Sequence, residues 1–248
     1  MKTTTHEIAP AIFKIRTELP DDGDGFTFNQ FLIRADQPLL MHTGPKALFP
    51  LVLEALSALI DPADLKWVIV GHFEDDECGA LNLWFDAAPQ AQCGCLSLLM
   101  QAGLAGFANR QPTVLGETQA TINLGSHRVR LFATPHFTHA WESQTLYEEV
   151  TQTLFTGDFG AQIGMPPPID AGAAIEVAKK TEALFKSTNV SPLTIQTIRQ
   201  LQSMPIKTLA IMHGSSINSG VAGALSGLHD YYLGILDQER ALLQRNHA

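Results

Sequence analysis

Cysteine is scarce in this sequence, with three residues among 248, Cys78, Cys93 and Cys95. So small and odd a number excludes a disulfide framework and fits reduced thiols. Cys93-Gly94-Cys95 is spaced too tightly for the usual zinc pair. Basic residues are also few, 16 Lys and Arg against 25 Asp and Glu, for a formal net charge of −9. With no Lys/Arg cluster there is no electrostatic footprint for nucleic acid or an anionic membrane. No apolar run is long enough to span a bilayer, and Met1 to Glu7 lacks the apolar centre of a signal peptide. No glycine-rich phosphate loop occurs, and Ser143, Ser215 and Ser216 lack a nucleophile-elbow pattern. These absences lead to the expectation of a soluble, cytoplasmic protein. Hydrophobic content of 45% and charged content of 17% leave it a sizeable core.

What is abundant is local. The stretch His72-Phe73-Glu74-Asp75-Asp76-Glu77-Cys78-Gly79 places four carboxylates and an imidazole within six residues. It follows Trp67-Val68-Ile69-Val70-Gly71, which reads as a buried parallel strand, and precedes a helix starting at Gly79. Open α/β sheets place ligands where a strand ends and a helix begins. Carboxylates this dense repel one another unless a cation sits among them.

Before this stretch, Ile8–Arg16 has strand character and Asp21–Gly25 is a turn cluster. Phe26–Ile33 and Pro38–Thr43 read as paired strands. Phe49–Ile60 is a helix that Asp61-Pro62 ends. After it, the spacing predicts a short strand at Ala91–Cys93, a helix at Leu96–Leu104, and strands at Thr113–Leu115, Gln119–Leu124 and His127–Thr134. Gln144–Val150 and Thr153–Gly157 are strand-like. Helical patterns cover Ala171–Lys186, Ser191–Ser203 and Val221–Gln244, with Ser191-Pro192 a natural N-cap and N1 pair. Leu209–Met212 is a last strand. Two successive rounds of strands and helices predict an α/β chain with two sheets face to face and helices outside, a four-layer αββα sandwich.

Metal-ligand residue types recur just after predicted strands: His72 with Glu74 and Asp76, then His139, Asp158 and His213. Each alone reads as a turn, cap or core residue; together they point to a metal site. Replacing imidazole by carboxylate hardens such a site, which suits iron or manganese better than zinc. A short carboxylate such as Asp158 can bridge two metals ~3.5–4 Å apart. Phe73, Phe137, Trp141 and Phe159 crowd these loops, as core or as a dry wall.

The ordered set His72-x-Glu74-x-Asp76-Glu77, His139, Asp158, His213 resembles the di-iron branch of the metallo-β-lactamase fold. That branch comprises the flavodiiron proteins and their smaller relatives, the oxygen-binding di-iron proteins. His72–Gly79, His136-Phe137-Thr138-His139 and Thr156–Gly160 look especially like the smaller relatives. The resemblance covers nearly the whole chain, as one domain over residues 1–248. It implies that one iron takes His72, Glu74 and His139, that a second takes Asp76 and His213, and that Asp158 bridges them. Flavodiiron proteins carry a histidine where Glu77 stands, so Glu77 is expected as a ligand, a holder of water, or a base behind the ligands. His139 fits the family spacing better than His136. The cofactors expected are two iron ions, with manganese or zinc as alternatives. No flavodoxin domain and no FMN are expected in this chain, so electrons would come from a separate reductase or rubredoxin-like donor. The function implied is dioxygen binding, as a sensor or a slow reductase. The alternative is a metal-dependent hydrolase of the same fold acting on an ester, thioester or phosphodiester. The C-terminal helix reads as core-packing, with a homodimer contact or a regulatory output as alternatives.

Overall fold

The computed structural model describes residues 1–20, 25–137, 139–170 and 173–245. The expected turn at 21–24, Thr138, and the expected helix start at Ala171 lie outside them. The first half is built from β1 (Lys2–Ala9), β2 (Ile12–Leu19), β3 (Phe26–Ile33), β4 (Leu39–Met41), α1 (Phe49–Ser57) and β5 (Trp67–Ile69). These are followed by α2 (Asp75–Cys78), α3 (Leu81–Ala87) and β6 (Gln92–Leu96). Next come α4 (Ser97–Leu99) and α5 (Ala105–Phe107), which flank a π-helical turn, and then β7 (Thr113–Gly116). The second half contains β8 (Gln119–Asn123), β9 (Arg128–Ala133), β10 (Gln144–Glu148), β11 (Thr153–Gly157), α6 (Ala174–Phe185), α7 (Pro192–Gln202), β12 (Thr208–Ile211) and α8 (Val221–Arg245).

Seven strands form one sheet in simple order, β1 to β7, and five form the other in the order β12-β11-β10-β9-β8. The expected αββα sandwich is the fold observed. Between the sheets, Phe31, Met41, Ile69, Leu131, Leu146 and Phe155 pack into one apolar layer. Val52, Leu56, Leu81 and Trp84 bury α1 and α3 on the outer face of the first sheet. Ala178, Ile198, Leu225 and Leu228 bury α6, α7 and α8 on the second. The buried stripe of α8 (Val221, Leu225, Leu228, Tyr232, Leu236) gives it the core-packing role. Among the described residues, no helix is long and apolar enough to cross a membrane.

Two local readings are corrected. Ile8–Arg16 is not one strand. The chain turns between Ala9 and Ile12, with Ala11 at φ 60°, into an antiparallel hairpin pairing Ala9 with Ile12. The acidic stretch is not all loop: it holds a helical turn, α2, ahead of the expected helix, which is α3. Gly79 N donates to Asp75 O and closes α2, while Ala80 N donates to Gly44 O instead of continuing it. A side chain on Gly79 would collide with the backbone oxygen of Asp75 as well as its carboxylate, so this pivot requires glycine.

The topology aligns the strand ends. β4 and β5 are parallel neighbours, as are β11 and β12, and β9 runs with β11 because both are antiparallel to β10. Their C-terminal ends deliver His42, His72, the 134–143 loop, Asp158 and His213 to one edge of the sandwich. Gln144 ties the sheets together there: its side chain accepts from Leu96 N and donates to Val70 O, each at 2.8 Å.

Trp84 is fully buried and its Nε1 donates to Thr43 O at 3.1 Å. It thus supports the β4 end from beneath. Trp84→Ala should cost about 3–5 kcal/mol of stability, seen as a lowered urea midpoint at unchanged slope. A loss below about 1 kcal/mol would contradict this packing role.

Candidate metal centre

α2 is one helical turn, and successive residues on a helix point about 100° apart. Asp76 therefore faces the edge where the strand ends meet, while Glu77 faces the strands beneath. His72 and Glu74 precede the turn, Glu74 in extended backbone at φ −138° and ψ 154°. His139 and Asp158 approach from the second sheet, and His213 from the end of β12.

Two clusters of ligand atoms result, each with all atoms within 4.8 Å of one another. One is His72, Glu74, His139 and Asp158; the other is Asp76, Asp158 and His213. Glu74 Oε2 lies 2.7 Å from His72 Nε2 and 2.9 Å from His139 Nε2. Asp76 Oδ2 lies 3.0 Å from His213 Nε2. Asp158 belongs to both clusters: its Oδ2 is 3.3 Å from His139 Nε2 and 3.7 Å from His72 Nε2, and its Oδ1 is 3.2 Å from His213 Nε2. One carboxylate thus offers a different oxygen to each side.

The other ring nitrogens of two histidines are already committed. His213 Nδ1 is 2.8 Å from Thr27 O, and His72 Nδ1 is 3.1 Å from Glu77 Oε1. In both cases Nε2 is left facing the cluster. Phe26 and Phe28 flank the His213 ring at 4.3 and 5.3 Å between centroids.

Six of the seven expected site residues, His72, Glu74, Asp76, His139, Asp158 and His213, are brought together. Glu77 joins neither cluster; of the roles expected for it, its position against His72 Nδ1 fits the one behind the ligands. Its Oε2 accepts from Gly71 N at 2.6 Å and His72 N at 2.7 Å and lies 3.1 Å from His42 Nδ1. His136 faces away, with Nδ1 3.1 Å from Asn189 Nδ2. Phe137 and Phe159 are buried and stacked at 4.1 Å, while Phe73 and Trp141 are exposed. Ser143 and Ser215 donate their hydroxyls to Thr134 O and Pro167 O.

Sequence reading missed His42, Phe26, Phe28 and Glu142. The His42 signal was its place at a strand end, the rule that found the other histidines. Phe26 and Phe28 are on the first sheet, and only the stacking of the sheets brings them to His213. Glu142 accepts from Phe73 N at 3.1 Å and so holds the loop between His72 and Glu74.

The electrostatics are those of carboxylates crowded around imidazoles. Burial opposes charge on His72, yet the Glu77 charge and hydrogen bonds with Glu74 and Glu77 push it up to about 12. Burial likewise opposes charge on His213, and hydrogen bonds with Asp158 and Asp76 push it up to about 10. Hydrogen bonds with Asp158 and Glu74 raise His139 to about 9. Those from His139 and His72 lower Glu74 to about 2. In each pair the proton stands where a cation of higher charge would be held more strongly. Asp76 Oδ1 and Asp158 Oδ1 are buried with no well-aligned hydrogen bond among the described residues. Buried carboxylate oxygens left so are costly, and their position in the clusters fits metal coordination. A cavity of about 610 Å³ opens over both clusters, lined by Glu74, Asp76, His139, Asp158 and His213 and walled by Phe26, Phe28 and Phe185.

Metal binding requires neutral imidazole and so displaces protons. All three histidines are raised above pH 7, so they hold protons in the metal-free protein at neutral pH. Binding at pH 7 should therefore release protons, one from each ligating histidine. Affinity should rise with pH, and the release should shrink as pH passes 9 to 10. Calorimetry in two buffers of different ionisation enthalpy measures this; binding at pH 7 without proton release would contradict it.

A profile of the ODP family beta lactamase matches residues 26–214. The flavo-diiron protein FprA2 of Clostridium acetobutylicum is 26% identical over 202 residues, covering 77% of this chain and 49% of that protein. A protein named nitric oxide reductase from Moorella thermoacetica is 25% identical over 198 residues, covering 77% and 49%. The structure of rubredoxin oxygen:oxidoreductase from Desulfovibrio gigas superposes with a TM-score of 0.81 at 18% identity, covering 95% of this chain and 62% of that one. The chain spans about half the length of these curated relatives. The matched segment includes ten of the twelve strands and every residue of both clusters, and on that ground the chain belongs to the ODP family of β-lactamase-fold proteins.

Proposed function

We propose that this chain holds two iron ions and uses them on dioxygen, binding it as a sensor does or reducing it slowly with electrons from outside. The observation that carries the reading is Asp158, whose two oxygens face two separate clusters. His72, Glu74, His139 and Asp158 would hold one metal, and Asp76, Asp158 and His213 the other. Glu74, Asp76 and Asp158, with Glu77 just behind, carry four negative charges, the charge of two divalent ions. Oxygen-rich donors of this kind suit iron or manganese over zinc. When bound, two ferrous ions supply two electrons to dioxygen.

The rest of the chemistry falls to the protein. His213 and His72 are held through Nδ1, so each presents Nε2 without rearrangement. Phe26 and Phe28 keep the His213 side apolar, which favours a small uncharged ligand over water. The names of the relatives, a flavo-diiron protein, a nitric oxide reductase and a rubredoxin:oxygen oxidoreductase, support a redox role over hydrolysis. They also support an external donor of the rubredoxin kind.

The test is anaerobic loading with ferrous iron, reduction, and admission of oxygen, with metal quantified in the same sample. Two irons per chain and a visible absorption band that appears with oxygen and persists would fit a sensor. Loss of the band with oxygen consumed would fit a reductase. Zinc at full occupancy, with no iron uptake and with esterase activity, would sink the reading in favour of a hydrolase. Asp158→Asn should abolish uptake of the second metal equivalent and the oxygen-dependent band together; retention of both would contradict the bridging role.

A further inference from the structure

Glu77 is fully buried, and so is His42. Neither is part of a metal cluster, yet the chain goes to some length to seat them. Gly71 leaves room for the carboxylate: a Cβ there would lie 2.7 Å from Glu77 Oε2. Gly157, at φ 57°, approaches from the other sheet, and a Cβ there would lie 3.1 Å from Oε1. His42 sits at φ 64°, a conformation that costs a non-glycine residue free energy. It is held there by its own N–H on Ile69 O and by Thr43 N on Glu77 O. The result is a carboxylate placed between two imidazoles, His42 on Oε2 and His72 on Oε1, each at 3.1 Å.

The two ends of the centre are therefore built unequally. His72 is backed by a buried carboxylate, whereas His213 is backed by a neutral carbonyl, Thr27 O. A carboxylate behind a ligating histidine fixes its tautomer and raises its basicity. The first cluster offers two imidazoles and two carboxylates; the second offers one imidazole and two carboxylates, one of them shared. With Glu77 turned away, no other ligand-type side chain among the described residues joins the second cluster.

Building on the two-metal reading above, we propose that Glu77 is a positioning residue for the first metal, acting through His72, and that His42 locks it in that role. Two metals then load in two steps of unequal affinity, the four-donor position filling first. The three-donor position is the weaker and keeps its open coordination toward the cavity.

The experiment is an anaerobic calorimetric titration of the full, metal-free chain with ferrous iron, for wild type, Glu77→Gln and His42→Gln. Wild type should show two resolved steps. Glu77→Gln should weaken the tighter step by about 10- to 100-fold and leave the weaker one nearly unmoved. His42→Gln should weaken the same step by less. Nitrogen NMR of the zinc-loaded protein supplies a readout that a merely structural role would not move. His72 should carry its proton on Nδ1 in wild type, and Glu77→Gln should weaken that preference. Loss of the weaker step with the tighter intact would overturn the proposal, since it would make Glu77 a ligand of the second metal. A single wild-type step taking two irons per chain would overturn the unequal loading while leaving the two-metal reading in place. A single step taking one iron per chain would overturn both. If Glu77→Gln does not fold, His42→Gln decides: an unchanged tighter step contradicts the lock.

Discussion

The constraint on which the rest of this structure depends is the crowding of carboxylates at one edge of a sandwich of two sheets. Glu74, Asp76 and Asp158 meet within a few ångströms of three imidazoles, with Glu77 beneath them. Such a group cannot be buried without compensating positive charge. In the metal-free protein, protons on the histidines supply it, which is why all three are raised. In the proposed holo form, two divalent ions supply it. The fold has to hold this arrangement open while it is repulsive, and the apolar layers do that work. The inter-sheet layer, with Phe31, Ile69 and Phe155, fixes the spacing of the strand ends that carry the ligands.

The sheets are not interchangeable supports. The first supplies the acidic turn and the buried His42–Glu77 pair; the second supplies His139, Asp158 and His213. Links between them are polar and specific: Gln144 bonds the β5 and β6 ends, and Asn29 donates to Ile211 O and Gly214 O beside His213. Lys14, fully buried, donates to Pro168 O. These bonds place the two halves of the centre in register, so a carboxylate as short as Asp158 can face both.

Much of this was legible in the sequence because the signals were local and repeated. An apolar strand followed at once by His or Asp occurs at Ile69–His72, Phe155–Asp158 and Ile211–His213, and one position of this kind would have meant little. The layer order followed from the alternation of strands and helices. What escaped depended on direction rather than order. Glu77 lies next to Asp76 in sequence but about a quarter turn away around α2, and only the turn's orientation decides which of them faces the cavity. His42 carried no motif because its partner is 35 positions distant in sequence. Phe26 and Phe28 belong to the site only through the stacking of one sheet on the other. The turn α2 was hidden because four residues of dense carboxylate read as loop; the bond from Ala80 N to Gly44 O separates it from α3.

The most direct test of the account is anomalous diffraction from crystals loaded with iron under anaerobic conditions. The account predicts two iron peaks about 3.5–4 Å apart with Asp158 between them, His72, Glu74 and His139 on one, Asp76 and His213 on the other, and Glu77 bound to neither. A single peak, or an iron ligated by Glu77, would contradict it.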